Sequence, residues 1–196
     1  MPREARKLVN NGVYHVMLRG HNRAKLFECS EDHRRFLSTL ARYKKEFPFH
    51  LYHYCLMPNH VHLLLKIGMA ENLPKFMHRL ATSYSYYSRK IYDRVGYVFQ
   101  GRFKSLLIED DAYLLDCGRY IERNPVRAEI VRDVADYKWS SYNYYAFNMP
   151  DYLITTNPLF IEIAASLRKR QKEYRRYIEL SRNYEILIDG ALGLKP

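Results

Sequence analysis

Residues 57–66 read MPNHVHLLLK, and the run from His60 onward has the composition of a β-strand. On a strand, residues i and i+2 face the same side. His60 and His62 should therefore project together from one face, while Val61 and Leu63 point from the other face into an apolar core. Two neutral imidazoles on a rigid support can hold a divalent metal ion. Such pairs also arise by chance as surface or hydrogen-bonded core histidines, so the pair alone leaves both interpretations open.

The flanking sequence predicts an alternation of strands and helices. Periodicity and turn residues place them at 13–19 (strand), 30–47 (helix), 49–57 (strand), 60 onward (strand), 72–91 (helix) and 98–108 (strand or irregular hairpin). The short Pro58-Asn59 turn makes the second and third strands antiparallel neighbours. The order βαββαβ is compatible with a ferredoxin-like sandwich, in which one antiparallel sheet carries helices on a single face. The predicted fold class is therefore α+β.

A further helix should begin near residue 110, where Asp110 or Asp111 can cap it. Pro125 disfavours helical geometry in the residue before it, so this helix is predicted to end by Asn124. Tyr120 and Asn124 lie four residues apart, which places them one turn apart on the same face of the helix.

The composition favours a polyanionic partner. The chain has 196 residues, with 32 Lys and Arg against 21 Asp and Glu, and its net charge is +11. Its 19 tyrosines can supply rings on which unpaired bases stack, while the cationic side chains neutralise phosphates. Most of the tyrosines should nevertheless be packing residues, and many small basic proteins bind nothing specific. Nucleic acid is the first candidate partner.

The cysteines and the hydropathy predict the compartment. Cys29, Cys55 and Cys117 are widely separated and form no Cys-x-x-Cys pair, which implies a reducing cytoplasm, no disulfide framework and no zinc site. The charged N-terminus leads into no apolar segment, and no apolar run approaches the roughly 20 residues that span a bilayer. We expect a cytoplasmic protein that is not inserted in a membrane.

Four motifs follow one another along the chain, namely YCLMPNHVHLL at 54–64, FQGRFKS at 99–105, RYIERNPVRA at 119–128 and WSSY at 139–142. Together and in this order they resemble the motifs of the HUH single-tyrosine transposases, and more narrowly those of the branch associated with repetitive extragenic palindromes (REPs). The resemblance covers residues 8–147 and implies a ferredoxin-like catalytic domain there. Residues 148–196 would then form a basic, mainly helical C-terminal extension, which either faces solvent or contacts DNA.

The resemblance implies roles for particular residues. The nucleophile of the family sits on a helix a few residues before an Asn-Pro pair, and Tyr120 matches that position. His60 and His62 would hold Mg²⁺ or Mn²⁺, although two imidazoles alone would accept zinc as readily. Asn124 would be a third ligand, or else only a cap at the end of the helix. Candidate DNA contacts are Arg19, Gln100, Arg102, Lys104 and Arg79.

The implied activity is nicking and joining of single-stranded DNA that carries a hairpin. Attack by tyrosine on phosphorus would leave a 5′-phosphotyrosine linkage and a free 3′-hydroxyl, and a second strand could reverse the step without ATP. A non-catalytic DNA-binding descendant and a metal-dependent hydrolase that activates water are the alternative hypotheses. Relatives include dimers that share active-site parts between subunits, which leaves a homodimer open.

Overall fold

Four antiparallel strands form the sheet that carries the two histidines. They are β1 (Val13–Arg19), β2 (Phe49–Met57), β3 (His60–Ile67) and β4 (Lys104–Ile108), in the order β2-β3-β1-β4. This is the strand order of the ferredoxin-like fold, and it confirms the prediction. The structure is a computed structural model, and it describes residues 7–180 and 184–191.

Seven α-helices complete the described part of the chain. They are α1 (Ser30–Glu46), α2 (Asn72–Tyr92), α3 (Asp111–Arg127), α4 (Tyr142–Phe147), α5 (Pro158–Glu162), α6 (Leu167–Glu179) and α7 (Tyr184–Ala191). The predicted strand at 98–108 is shorter in the structure, because only its second half pairs with β1 along a ladder. Its first half is irregular and touches the sheet through an isolated bridge between Phe99 and Gly20.

Each face of the sheet is covered by different helices. Residues such as Val16, Leu18, Val61 and Leu63 pack beneath α1 and α2, so the prediction of a single helical face holds for the helices of the βαββαβ unit. It does not hold for α3, which packs on the opposite face, the face of the histidines. The sequence gives only a weak signal that a helix covers this second face, because polar residues lie on it among the apolar side chains that α3 covers.

The helix α3 continues past the predicted end at Asn124 and includes Pro125. A proline inside a helix has no N–H, so the carbonyl of Ile121 loses its usual partner. The Asn124 side chain lies over this site, and its Nδ2 donates to the carbonyl oxygens of Tyr120 at 2.8 Å and Ile121 at 3.4 Å. A side-chain donor thus replaces the missing backbone donor, and the helix runs on to Arg127. Asn124 is therefore not a cap at the helix end.

The C-terminal extension packs against the predicted catalytic domain. Tyr142 and Tyr145, from one side of the proposed boundary at 147/148, share an apolar cluster with Phe160, Tyr174 and Ile178 from the other side. The division into two domains remains a prediction. No helix in the described ranges is both long enough and apolar enough to cross a membrane.

Candidate active site

The two histidines of β3 meet the ring of Tyr120 from α3. His60 and His62 project from the same face, and their ring centroids lie 4.8 Å apart at an interplanar angle of 89°. The centroid of His62 lies 5.7 Å from that of Tyr120, in an edge-to-face arrangement. The structure therefore brings together the three residues on which the sequence-based hypothesis depends most.

Each of these imidazoles uses one ring nitrogen within the protein. Nδ1 of His62 lies 2.9 Å from Nε2 of His15, and Nδ1 of His60 lies 2.6 Å from Oδ1 of Asn59. Nε2 of His62 is buried and has no hydrogen-bond partner among the described residues. An unpartnered buried nitrogen is costly unless something binds it.

Burial keeps these imidazoles uncharged. It lowers the pKa of His60 to about 4, with the charge of Arg19 adding to the effect, and it lowers the pKa of His15 to about 3. The pKa of His62 falls well below its ordinary value for the same reason, with His60 and His15 adding to the effect. Neutral imidazole is the form that coordinates a metal ion.

These features fit a divalent metal held by His60 and His62. Both have neutral rings, and the buried Nε2 of His62 has a lone pair to offer when Nδ1 carries the proton. Within the described ranges, no group of three or more His, Cys, Asp or Glu side chains could hold a metal ion. A third ligand from the described residues would be of another kind, such as the amide oxygen of Asn124, and water or a phosphate oxygen could also complete the site.

The phenol of Tyr120 is buried and already hydrogen-bonded. Its hydroxyl donates to Oδ1 of Asp189 in α7 at 2.7 Å, and the guanidinium carbon of Arg127 lies 5.0 Å from the centroid of its ring. Burial raises the pKa of Tyr120 far above its ordinary value, and Asp189 raises it further, while Arg127 opposes the shift. In this arrangement the phenol is held protonated.

Ion pairs dock α7 on the outer side of α3. Oε1 of Glu185 lies 3.1 Å from Nη1 of Arg119 and 3.3 Å from Nε of Arg123. Arg127 reaches both acids, with its Nε 3.1 Å from Glu185 and its Nη2 2.5 Å from Asp189. These residues follow one face of α3 at helical spacing.

A buried carboxylate fixes α3 against the sheet. Glu122 is fully buried, accepts hydrogen bonds from Ser141 at 2.6 Å and Tyr174 at 2.6 Å, and has an oxygen 2.9 Å from Nδ1 of His53. Ser141 belongs to the WSSY motif, and its hydroxyl oxygen also accepts a hydrogen bond from the backbone N–H of Tyr54 in β2. This motif therefore acts here as a structural tie for the helix that carries Tyr120.

The predicted DNA contacts lie in three places. Arg19 pairs across β1 and β3 with His60, beside the metal-site candidate, and Lys104 is on the same sheet face. Gln100 and Arg102 are exposed on the loop before β4, where the backbone N–H of Gln100 donates to the carbonyl oxygen of Arg19 at 2.9 Å. Arg79 lies on α2, on the far side of the sheet from Tyr120, and is paired with Glu46.

Sequence reasoning missed three residues of this site. His15 is a lone histidine in the sequence of β1, and only the register of β1 against β3 reveals its contact with His62. Arg127 lies seven residues after Tyr120, a spacing that returns to the same helix face and could have identified it. Asp189 is 69 residues from Tyr120 along the chain, and no sequence pattern relates the two.

Comparisons with known proteins agree with the geometry of the fold. A curated protein of Haemophilus influenzae, provisionally described as a REP-associated tyrosine transposase, is 26% identical over an alignment of 151 positions, and the match covers 70% of this chain and 84% of that protein. The solved structure of a REP-associated tyrosine transposase bound to a REP hairpin superposes with a TM-score of 0.66 at 16% identity, covering 80% of this chain and 93% of the other. This second likeness supports the fold.

A family model assigns the chain to a family. The model, described as "Transposase IS200 like", matches residues 8–124, which include the histidine pair, Tyr120 and Asn124. The resemblance deduced from the four motifs is confirmed. Because the match spans more than half of its length, the chain belongs to the family of IS200-like transposases.

Proposed function

We propose that the chain cleaves and rejoins single-stranded DNA beside a hairpin, with Tyr120 as the nucleophile. The phenol oxygen attacks phosphorus, the bond from phosphorus to the 3′-oxygen breaks, and the 3′-oxygen leaves as a hydroxyl. The products are a 5′-phosphotyrosine linkage and a free 3′-hydroxyl. Because one phosphodiester replaces another, a second 3′-hydroxyl can reverse the step without an external energy source.

One observation carries the proposal, namely the contact between the rings of His62 and Tyr120 with the Nε2 of His62 left unpartnered. It sets a candidate nucleophile beside a candidate metal ligand in a buried site. A divalent ion held by His60 and His62 would withdraw charge from the non-bridging phosphate oxygens. We propose Mg²⁺ or Mn²⁺ as that ion, with the Asn124 oxygen as a third ligand.

Cationic side chains supply the rest of the site. Arg127 approaches the ring of Tyr120 and Arg19 lies across from His60, so both can attract the phosphate and stabilise the negative charge of the transition state. Lys104, Gln100 and Arg102 are proposed contacts for the DNA flanking the hairpin. Arg79 is a weaker candidate, because Glu46 already pairs with it.

The test is a covalent adduct. Labelled hairpin oligonucleotides with single-stranded flanks, taken from the genome that encodes the chain, are mixed with the protein and Mn²⁺ and run on a denaturing gel. The native protein should form an adduct that survives boiling in detergent. Tyr120→Phe should abolish it, since only the attacking oxygen is lost, whereas Tyr113→Phe on the same helix should keep it. The His60→Ala, His62→Ala double variant should bind the hairpin but form no adduct.

Other outcomes separate the alternatives. Cleavage without an adduct would favour a metal-dependent hydrolase that uses water. Binding without cleavage of any genomic hairpin would favour a non-catalytic descendant. An adduct that persists in Tyr120→Phe would assign the attack to another tyrosine.

A further inference from the structure

Both candidate metal ligands have the same ring nitrogen occupied by a neighbouring side chain. For His62 the neighbour is Nε2 of His15 at 2.9 Å, and for His60 it is Oδ1 of Asn59 at 2.6 Å. In both rings the engaged atom is Nδ1. This repetition leaves the Nε2 atoms of the pair as the ones that can bind a metal.

The position of the ring proton decides whether Nε2 can bind. A neutral imidazole carries one N–H, and the other nitrogen holds the lone pair that a metal needs. A neighbour that accepts a hydrogen bond from Nδ1–H keeps the lone pair on Nε2. A neighbour that donates to Nδ1 does the opposite and puts the proton on Nε2.

Asn59 is oriented as an acceptor by a second hydrogen bond. Its Nδ2 donates to the carbonyl oxygen of Arg23 at 3.2 Å, which turns the amide so that Oδ1 faces His60. The adjacent Nδ1 of His60 must then carry the proton. The preceding residue in the motif thus prepares His60 for coordination through Nε2.

His15 can do the same for His62 when its own ring proton is on Nδ1, a buried atom that has no hydrogen-bond partner among the described residues. The 2.9 Å contact also permits the opposite direction, in which His15 donates, so the direction is what the inference adds. Both rings are fully buried, so the hydrogen bond between them has no solvent competitor. His15 is not itself positioned as a third ligand, because its Nε2 already faces Nδ1 of His62 and the described residues include no three-ligand cluster. Its ring centroid also lies 5.0 Å from that of His62 and 5.7 Å from that of Tyr120, so His15 contacts both rings.

We infer that His15 and Asn59 are positioning residues, which accept hydrogen bonds from Nδ1–H of His62 and His60 and thereby fix both imidazoles with Nε2 free for a divalent cation. The inference rests on the proposed function only in assigning the bound cation a part in DNA cleavage. It predicts a property of the metal-free protein, namely a single tautomer for each ring.

The first measurement is the tautomer of His62. Two-bond ¹⁵N–¹H correlation spectra of the metal-free protein at pH 7.5, assigned by comparison with a His62→Gln sample, distinguish Nδ1–H from Nε2–H. We expect Nδ1–H in the native protein. In His15→Phe, which keeps a ring against His62 and Tyr120 but has no acceptor, the His62 signals should shift toward a mixture of tautomers. A native His62 protonated on Nε2 would overturn the inference, and this result needs no variant of His15.

The second measurement is calorimetric titration with Mn²⁺ alone. Loss of a second-shell partner typically lowers metal affinity by about 10- to 100-fold, and we expect a loss of this size in His15→Phe and in Asn59→Ala. His15→Gln keeps an acceptor oxygen and should recover most of the affinity. His78→Phe, at an exposed histidine on α2, is the matched control and should bind as the native protein does.

The outcomes separate this inference from the proposed function. Native affinity in both His15→Phe and Asn59→Ala, with binding abolished in the His60→Ala, His62→Ala variant, would refute the positioning roles and leave the metal site standing. No Mn²⁺ binding by the native protein, together with His62 protonated on Nδ1, would refute the metal in the proposed function. Equal losses in His15→Phe and His15→Gln would mean that His15 acts through packing.

Discussion

His15 and His62 are buried without charge, and this links the stability of the fold to pH. Burial lowers the pKa of His15 to about 3 and that of His62 well below its ordinary value, whereas both titrate near 6.5 in the unfolded chain. The unfolded chain therefore takes up protons, as the pH falls through 6.5, that the folded chain does not. Stability is fully present above this pH and is lost below it.

We expect the free energy of unfolding to fall by about 1 kcal/mol for each of these two imidazoles between pH 7.5 and 5.5. Urea denaturation at several pH values in this range measures it. His15→Phe should show a smaller decline, because one of the buried imidazoles with a lowered pKa is absent while His60 and His62 remain. A decline as steep in this variant as in the native protein would show that other groups dominate the pH dependence.

At the scale of the element, α3 depends on Asn124 for its continuity. The Asn124 amide donates to the carbonyls of Tyr120 and Ile121 where Pro125 supplies no N–H. Two roles are therefore combined in one side chain, since the nitrogen supports the helix and the oxygen is the proposed metal ligand.

Substitutions at Asn124 should separate these roles. Asn124→Asp keeps an oxygen but loses the donor, so we expect a loss of about 1–2 kcal/mol in stability with Mn²⁺ affinity retained. Asn124→Ala should lose both. Thermal denaturation and calorimetric titration with Mn²⁺ measure the two effects. Retained affinity in Asn124→Ala would remove this residue from the ligand set and leave it only the helix role.

The helix α7 covers Tyr120, the proposed nucleophile. Tyr120 is fully buried, Ile188 packs in the same cluster, and Asp189 accepts the hydrogen bond of the phenol. A phosphate can reach the phenol only when these side chains move. The ion pairs of Glu185 and Asp189 with α3 oppose that movement.

Asp189→Asn should therefore speed formation of the adduct. The substitution removes the ion pair with Arg127 and the charge that raises the pKa of Tyr120. An ion pair of this kind contributes about 1 kcal/mol, which corresponds to a roughly fivefold higher rate if opening limits the reaction. The pKa of Tyr120 should fall as well, measured from the ¹³Cζ shift of labelled tyrosine.

Glu173→Gln, at an exposed acid on α6, is the control for the loss of one negative charge and should leave the adduct rate unchanged. Slower adduct formation in Asp189→Asn would instead mean that the carboxylate assists the attack by accepting the phenolic proton.

Local pattern predicted most elements, whereas the site depended on contacts between distant segments. The alternation in β3 correctly placed His60 and His62 on one face, because strand parity is set by neighbouring residues. The predicted end of α3 at Asn124 was wrong. The Asn124 side chain replaces the hydrogen bond that Pro125 cannot donate, and helix propensity does not describe such a side-chain contact. Asp189 and His15 reach the site through tertiary docking and strand register, and neither leaves a local signal.

At the scale of the whole molecule, binding of a polyanion such as DNA depends on where the net charge of +11 is exposed on the surface. Arg168, Lys169 and Lys172 are exposed on α6, which packs beside α3 through hydrogen bonds from Arg119 and Arg123 to its backbone. Deleting the extension would expose the core around Phe160, Tyr174 and Ile178, so the hypothesis that it contacts DNA is better tested by neutralising charge.

We expect the triple variant Arg168→Gln, Lys169→Gln, Lys172→Gln to bind a hairpin with single-stranded flanks less tightly. If all three side chains contact phosphates, the slope of log affinity against log salt should decrease in magnitude by about 2–3, because each contact releases roughly 0.7–0.9 counterions. Fluorescence anisotropy between about 50 and 200 mM salt measures the slope. The control Arg34→Gln, Lys75→Gln, Arg132→Gln removes the same charge from other exposed positions and should change the slope less. Equal slopes for the two triple variants would mean that α6 contributes only to the overall charge and faces solvent in the complex.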